Sequence, residues 1–572
     1  MKVAIALIGR GCVGFWLMVL CAGPGWGGDQ PPIVNLETMA VQQQLTAAGG
    51  PNDLVAATPW HPQLQDFYQR RGYQPAWLAA GQPGRMIDEL REVLNNAAAD
   101  GLCPEDYHLD QIESLLALPA PPAGLEAMTR SIHARLDLLL SDAFLLYATD
   151  LVEGRVDPNL AFDDWHVRSR RVNPSRLLEF ALQQGRVKSV LTELLPPQPA
   201  YFDLRRVLAD YRSQWLAGDW PVVPGGPTLR PGMEDPRLPL LRQRLQAGGD
   251  LAVGAGSDAF YDPEMVAAVK RFQSRHGLGA DGVLGERTRA ELNVPLTTRI
   301  RQLELNLERW RWLPHSLGTN HILVNIADFR LTVVEDDLPV LSMPVVVGTA
   351  YRKTPVFSGR LSYLELSPYW YVPPTILRED LLPKVKGNPG LLTARHFEIV
   401  GWDGVTIIDP ATIDWRQVKA ENFPGMLRQR PGPWNPLGRV KFMFPNPYAV
   451  YLHDTADPGL FGREIRSFSS GCIRIQRPFA LVSYLLRGDP AGAGLNLSPG
   501  ALPAVPLRVD LANPLPVHIL YWTAWVDGEG RINFRDDIYR RDFDLNLALE
   551  SARRATGALL VATPEAGVGR GG

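Results

Sequence analysis

The spacing of apolar residues changes once along this chain, and that change constrains its fold more than any other feature. From about Leu36 to Trp220 they recur at helical spacing, as in Met86-Ile87-Glu89-Leu90-Val93-Leu94 and Ile132-Leu136-Leu139-Leu140-Phe144. Gly101, Pro104, the cluster from Pro119 to Pro122 and Pro196-Pro197 punctuate that pattern. From His321 the runs become strand-like: Ile322-Leu323-Val324-Asn325-Ile326, Leu331-Thr332-Val333-Val334 and Val345-Val346-Val347-Gly348. A chain ordered in this way builds helical and mainly β units in series. Its 572 residues are too many for one core. The expectation is a multidomain α+β protein of roughly three to four domains.

Composition narrows the function classes. A net charge of -3, with no basic run, argues against nucleic acid as a partner. His-x-His, His-Glu-x-x-His and paired-Cys patterns are absent, so no metal and no cofactor are expected. Lys2 and Arg10 flank an apolar start, Val13 to Leu20 supplies an h-region, and Pro24, Gly25, Gly27 and Gly28 precede polar Asp29-Gln30. Residues 1–28 therefore read as an export signal, or as a membrane anchor if they are not cleaved. Cys12 and Cys21 fall in that segment. The remaining Cys103 and Cys472 make no disulfide framework. A thiol in an oxidising compartment favours a chemical role for one of them. Cys103, in a turn before a helix, reads as structural.

The stretch Ser469-Ser470-Gly471-Cys472-Ile473-Arg474 follows Tyr451-Leu452-His453-Asp454-Thr455 by a short loop. A thiol attacks as thiolate, and a nearby imidazole can take its proton. The glycine before the cysteine lets the backbone turn sharply and aim amides at a developing oxyanion. These residues make a candidate cysteine acyl-transfer site. From spacing alone, a buried structural cysteine beside a core histidine is the alternative.

His453-Asp454-Thr455 followed by the Cys472 segment resembles the signature of the L,D-transpeptidases, whose catalytic domain is the YkuD type. Ser470 stands where the family commonly has a second histidine, as in the family's large periplasmic members. The resemblance implies Cys472 as nucleophile, His453 as general base and acid, and Gly471 as an oxyanion amide. It gives Asp454 an orienting role through its backbone carbonyl or its side chain. Arg474, Ser470, Tyr451, Trp370 and Tyr371 are the candidate substrate contacts, although each also fits a structural place. The implied function is peptidoglycan L,D-transpeptidation in the periplasm. Hydrolysis at the same site, as an L,D-carboxypeptidase or endopeptidase, and non-catalytic wall binding are the other readings. Stem peptides and glycan strands are the expected partners, with other cell-wall synthesis enzymes as further candidates.

The same resemblance organises the chain. Residues 36–221 are similar to a helical scaffold domain, where Tyr68, Trp77, Tyr147 and Trp165 are core or sugar-facing aromatics. Residues 235–296 look like a three-helix peptidoglycan-binding module: Val266, Val269 and Phe272 share a face, Gly277 ends that helix, and Asp281-Gly282 turns. A connecting helix is expected within 297–318 and a mostly β catalytic domain over 320–545. The insertion 376–436, with Lys384, Lys386, His396, Trp402 and Trp415, is read as a lid. A hairpin is expected at Asp527-Gly528-Glu529-Gly530, and residues 550–572 form a tail.

Overall fold

The computed structural model describes residues 35–46, 60–78, 84–119, 122–167, 170–254, 259–497 and 501–557. The segment read as an export signal, with Cys12 and Cys21, lies outside them. So do residues 558–572 of the expected tail. Among the described residues no helix is long and apolar enough to cross a membrane.

The first third is helical because its apolar positions form stripes. The spine is Glu126–Glu153, which buries Leu136, Leu139, Leu140 and Phe144. Helices Leu36–Thr46, Arg85–Asn95 and Pro174–Gln184 pack against it. Pro174 opens the last of these, and the Asn173 side chain accepts from the Arg176 amide at 3.0 Å, satisfying an N-terminal donor. Tyr68, Trp77, Tyr147 and Trp165 are all buried, so they are core aromatics. The helix Pro199–Ala217 packs on Leu296–Arg311, the connecting helix.

Between these lies a unit of three helices, Leu238–Ala247, Pro263–Arg275 and Glu286–Leu292. Its buried stripe is Met265, Ala268, Val269 and Phe272, with Val266 at the edge of that stripe. Gly277 and Gly282 have φ of +71° and +76°, the left-handed region where glycine is favoured.

The strands are β1 (Asn320–Asn325), β2 (Arg330–Glu335), β3 (Leu338–Gly348), β4 (Phe357–Leu366), β5 (Trp370–Tyr371), β6 (Phe397–Val400), β7 (Ile407–Ile408) and β8 (Met426–Gln429). They continue as β9 (Val440–Met443), β10 (Leu452–His453), β11 (Ser467–Ser469), β12 (Ile473–Ile475), β13 (Leu507–Leu520), β14 (Ala524–Val526) and β15 (Ile532–Phe534). Nine of them form one sheet in the order β11-β3-β12-β10-β9-β4-β13-β1-β2. The long β3 also pairs with β2, so the sheet closes on itself. The hairpin at Asp527 to Gly530 is β14 and β15, separate from β13. The final helix runs Arg541–Gly557, past the point at which the tail was expected to begin.

Three hydrophobic cores result. One is continuous from the helical region into the nine-stranded sheet, joined by edge-on packing of Trp165 on Trp312 and stacking of Trp310 on Trp522. The three-helix unit has its own core. So does the insertion, around Leu381, Val385, Ile399, Trp415 and Leu427. Its sheet, β5-β8-β6-β7, starts at Trp370, ahead of residue 376.

Candidate active site

Short, buried β10 places the site. It lies between β9 and β12 in the large sheet. Its parallel pairing with β12 sets Leu452 opposite Ile473 and His453 opposite Arg474. Side chains alternate along a strand, so His453, Arg474 and their neighbours two residues away share one face. Cys472, just ahead of β12, joins that face beside Tyr451, whose carbonyl accepts from the Ile473 amide at 3.1 Å.

The loop before Cys472 is held from several sides. Gly471 has φ +112°, and an added Cβ would have only the Lys353 carbonyl oxygen near it, at 3.6 Å. Backbone conformation, not crowding, therefore demands glycine. The Gly471 carbonyl accepts from the Thr354 hydroxyl at 2.8 Å. Ser469 Oγ donates to the Cys472 carbonyl at 2.5 Å and accepts from the Gly471 amide at 3.2 Å. The sequence reading gave that amide to the oxyanion; the neighbouring serine hydroxyl already occupies it. The Cys472 amide has no acceptor among the described residues.

Cys472 is half-buried, with its sulfur 3.6 Å from the Ala449 carbonyl. Burial pushes the thiol up. The Tyr451 backbone amide and phenol, with the Lys441 and Arg474 cations, pull it back down. His453 is fully in the interior. Burial first and the Arg474 cation second push its imidazole down to about 3. The resting pair is therefore neutral thiol and neutral imidazole.

His453 Nδ1 donates to the Asp454 backbone carbonyl at 2.5 Å, which sets the tautomer and leaves Nε2 as the acceptor nitrogen. The Asp454 carboxylate is used elsewhere: it accepts from the Arg439 amide at 2.9 Å and lies 3.6 Å from the Arg439 guanidinium. The backbone, not the side chain, orients the ring.

Arg474 is half-buried, makes no ion pair among the described residues, and has an unpartnered Nε. That leaves it open to an anionic ligand. Ser470 is exposed and accepts from Arg352 at 2.9 Å. Trp370 and Tyr371 belong to the insertion's sheet. Trp370 is half-buried and packs near Phe397 at the edge of the insertion's core, with ring centres 6.0 Å apart. Tyr371 is exposed and meets Arg428.

Three residues escaped the sequence reading as functional. Thr354 was visible only in the stretch Thr354-Pro355-Val356-Phe357, which continues the resemblance to the family. Lys441 sits at an inward position of β9, and a lysine inside the apolar run from Val440 to Phe444 was the available signal. Arg352 pairs with Asp380 and Glu379 of the insertion, each at 2.7 Å, while it reaches Ser470.

Residues 319–491 match the profile of the YkuD family, described as the L,D-transpeptidase catalytic domain. His453 and Cys472 both fall inside that match. Residues 62–208 match a scaffold domain, and 234–292 match the family described as "Putative peptidoglycan binding domain". A Haemophilus influenzae protein named "Putative L,D-transpeptidase" is 37% identical over 251 residues, which is 43% of this chain and 49% of that protein. The chain thus spans about half the length of that relative. The N-acetylmuramoyl-L-alanine amidase CwlL of Bacillus licheniformis is 51% identical over 41 residues, 7% of this chain and 11% of that one. An L,D-transpeptidase crystal structure from Xylanimonas cellulosilytica covers 52% of this chain and 99% of its own, at 15% identity and a TM-score of 0.16.

Because the YkuD-domain histidine leans on a carbonyl, Asp454→Ala should lower kcat/KM by less than about tenfold. A triad aspartate would cost about 10⁴-fold. Steady-state kinetics of the variant distinguish the two roles.

Proposed function

We propose that this chain is a periplasmic peptidoglycan L,D-transpeptidase with Cys472 as nucleophile and His453 as base. The observation that carries the reading is the pairing of β10 with β12. It sets an oriented imidazole and a thiol on one sheet face, within the YkuD domain.

As Cys472 sulfur attacks the carbonyl of the diaminopimelate–D-Ala bond of a stem tetrapeptide, its proton passes to His453 Nε2. The new S–C bond puts negative charge on the carbonyl oxygen, to which the unengaged Cys472 amide can donate. An imidazolium held far below its usual range is a strong acid, so His453 readily protonates the leaving D-Ala nitrogen as the C–N bond breaks. The side-chain amine of diaminopimelate on a second stem then attacks the thioester. It loses a proton through His453 and releases the thiol. Arg474 binds a substrate carboxylate, and Tyr451 lines the sulfur. The unit at 234–292 holds the enzyme on glycan strands or stems, raising local concentration.

Purified protein incubated with a disaccharide-tetrapeptide tests the reading. Cross-linked dimers are the expected product, and Cys472→Ala should abolish them in a folded protein. His453→Ala should lose about 10³-fold or more. Tripeptide without dimers would make the enzyme a hydrolase instead. Near-normal turnover by Cys472→Ala would remove the assignment.

The pH profile follows from the two shifts. The reactive pair needs one proton in total. His453 takes a second only near pH 3, and Cys472 loses its own only above the usual thiol range. The expected kcat/KM is flat from about pH 5 to 8. An acid limb near the ordinary imidazole value would contradict it.

The insertion acts as a lid in this reading, fastened to the nucleophile loop by Arg352. Arg352→Ala frees that fastening and admits water. The expected result is a higher ratio of hydrolysed tripeptide to cross-linked dimer. An unchanged ratio would show that the lid seals without it.

A further inference from the structure

Lys441 stands in the middle of a row that crosses four strands. Antiparallel pairing sets it opposite Glu365 of β4 on one side and His453 of β10 on the other, and His453 lies opposite Arg474 of β12. Paired residues project to the same face, so Glu365, Lys441, His453 and Arg474 line up on the face that carries Cys472. The ammonium lies 4.4 Å from the centre of the Tyr451 ring, and Tyr451 is the residue beside Cys472. Its acidic neighbour forms a long ion pair, with Glu365 Oε2 3.9 Å away, and the ammonium makes no hydrogen bond among the described residues.

We propose that Lys441 is an electrostatic positioning residue that supplies the counter-charge for the Cys472 thiolate, with Glu365 as the acid that tempers it. The proposal rests on Cys472 being the nucleophile. The geometry separates two jobs usually given to one histidine. In a thiolate–imidazolium pair, the imidazolium is both proton acceptor and counter-ion. Here His453 lies between two cations, Lys441 and Arg474, and both lower its affinity for a proton. The same two cations favour a charged sulfur. His453 therefore moves the proton, while fixed cations balance the sulfur's charge.

Every element around the sulfur contributes to that balance. β9 brings Lys441, β4 brings Glu365, β10 brings His453 with Tyr451 just ahead of it, and β12 brings Arg474. Asp457, on the loop after β10, offsets Arg474. On β13, Arg508 sits opposite Glu365 but is tied to Asp510 at 2.6 Å. Lys441 is the member of this set that touches Tyr451 from the side away from Arg474. A lysine that merely filled space on the Tyr451 ring would be replaceable by methionine without electrostatic consequence.

The test is the pH dependence of iodoacetamide alkylation at Cys472 in the full chain, resolved by peptide mass, with Cys103 read in parallel as an internal control. Lys441→Met should raise the inflection by about one pH unit and slow alkylation near neutrality about tenfold. Lys441→Arg should stay near wild type. Glu365→Gln, which leaves the ammonium untempered, should move the inflection down. An unchanged inflection in Lys441→Met, or equal shifts in the Met and Arg variants, overturns the proposal in favour of packing. If Lys441→Met does not fold, Glu365→Gln decides: a downward move supports the proposal, and no move or an upward move overturns it. The nucleophile assignment fails separately, through turnover retained by Cys472→Ala.

Discussion

The hydroxyl of Thr354 is the point on which the loop before Cys472 depends. It donates to the Gly471 carbonyl and accepts from the Gly348 amide at 2.9 Å, so it ties the glycine before Cys472 to the end of β3. Thr354 is itself fixed by the last part of the catalytic fold. Tyr539 donates to the Gly348 carbonyl at 2.5 Å, and its oxygen accepts from the Thr354 amide at 3.2 Å. Arg541 donates to the Thr354 carbonyl at 3.0 Å and pairs with Asp164 at 2.5 Å. Asp164 belongs to the helical region, which also adds a bridge between Trp165 and Val356. A buried Thr–carbonyl bond is worth about 1 kcal/mol net, but leaving that carbonyl unpaired costs more. The loop's conformation is therefore determined by residues more than 300 positions apart in sequence.

This explains why the helical region and the sheet share one core while the other two units keep their own. The scaffold reaches the site's foundation, so relative motion would move Gly471. The three-helix unit touches the sheet region through polar contacts and one ring stack: Arg275 donates to the Ile532 carbonyl at 3.3 Å, Glu464 accepts from the Gly279 amide at 2.8 Å and pairs with Arg287, and His276 stacks on Phe534. The insertion is attached through its own small sheet and through Arg352. A unit with a private core and a mainly polar border can be repositioned at a smaller apolar cost than a unit that shares a core.

Elements with a long amphipathic period were legible in the sequence. The helices from Leu36 to Ala217, the three-helix unit and the strands flanking Cys472 all follow from spacing and punctuation. His453 lies on β10 and Cys472 just ahead of its pairing partner β12. What escaped depends on contacts that spacing does not encode. β5 is two residues long, too short for its alternation to show that Trp370 packs against the insertion's core. The Gly471 amide read as free because the reading did not set it against Ser469 Oγ, two residues away, a local competitor of the kind serine often supplies. Lys441 was overlooked because strand alternation marks which face a residue takes, while its neighbours come from the register of three separate strands. The helix past Leu549 was missed because its sequence is polar on most sides.

The site's electrostatics make its idle state unreactive, and substrate would change that. Burial and the Arg474 cation together keep His453 a weak base. Under the proposed reaction a substrate carboxylate pairs with Arg474, which has no acidic partner of its own at contact distance. That pairing cancels the second-largest influence that holds the imidazole down. His453 then regains basicity when a stem peptide is in place, and the thiol gives up its proton beside an acyl group instead of beside water. Lys441 stays behind as the cation nearest Tyr451, so the sulfur keeps a counter-charge while Arg474 is engaged.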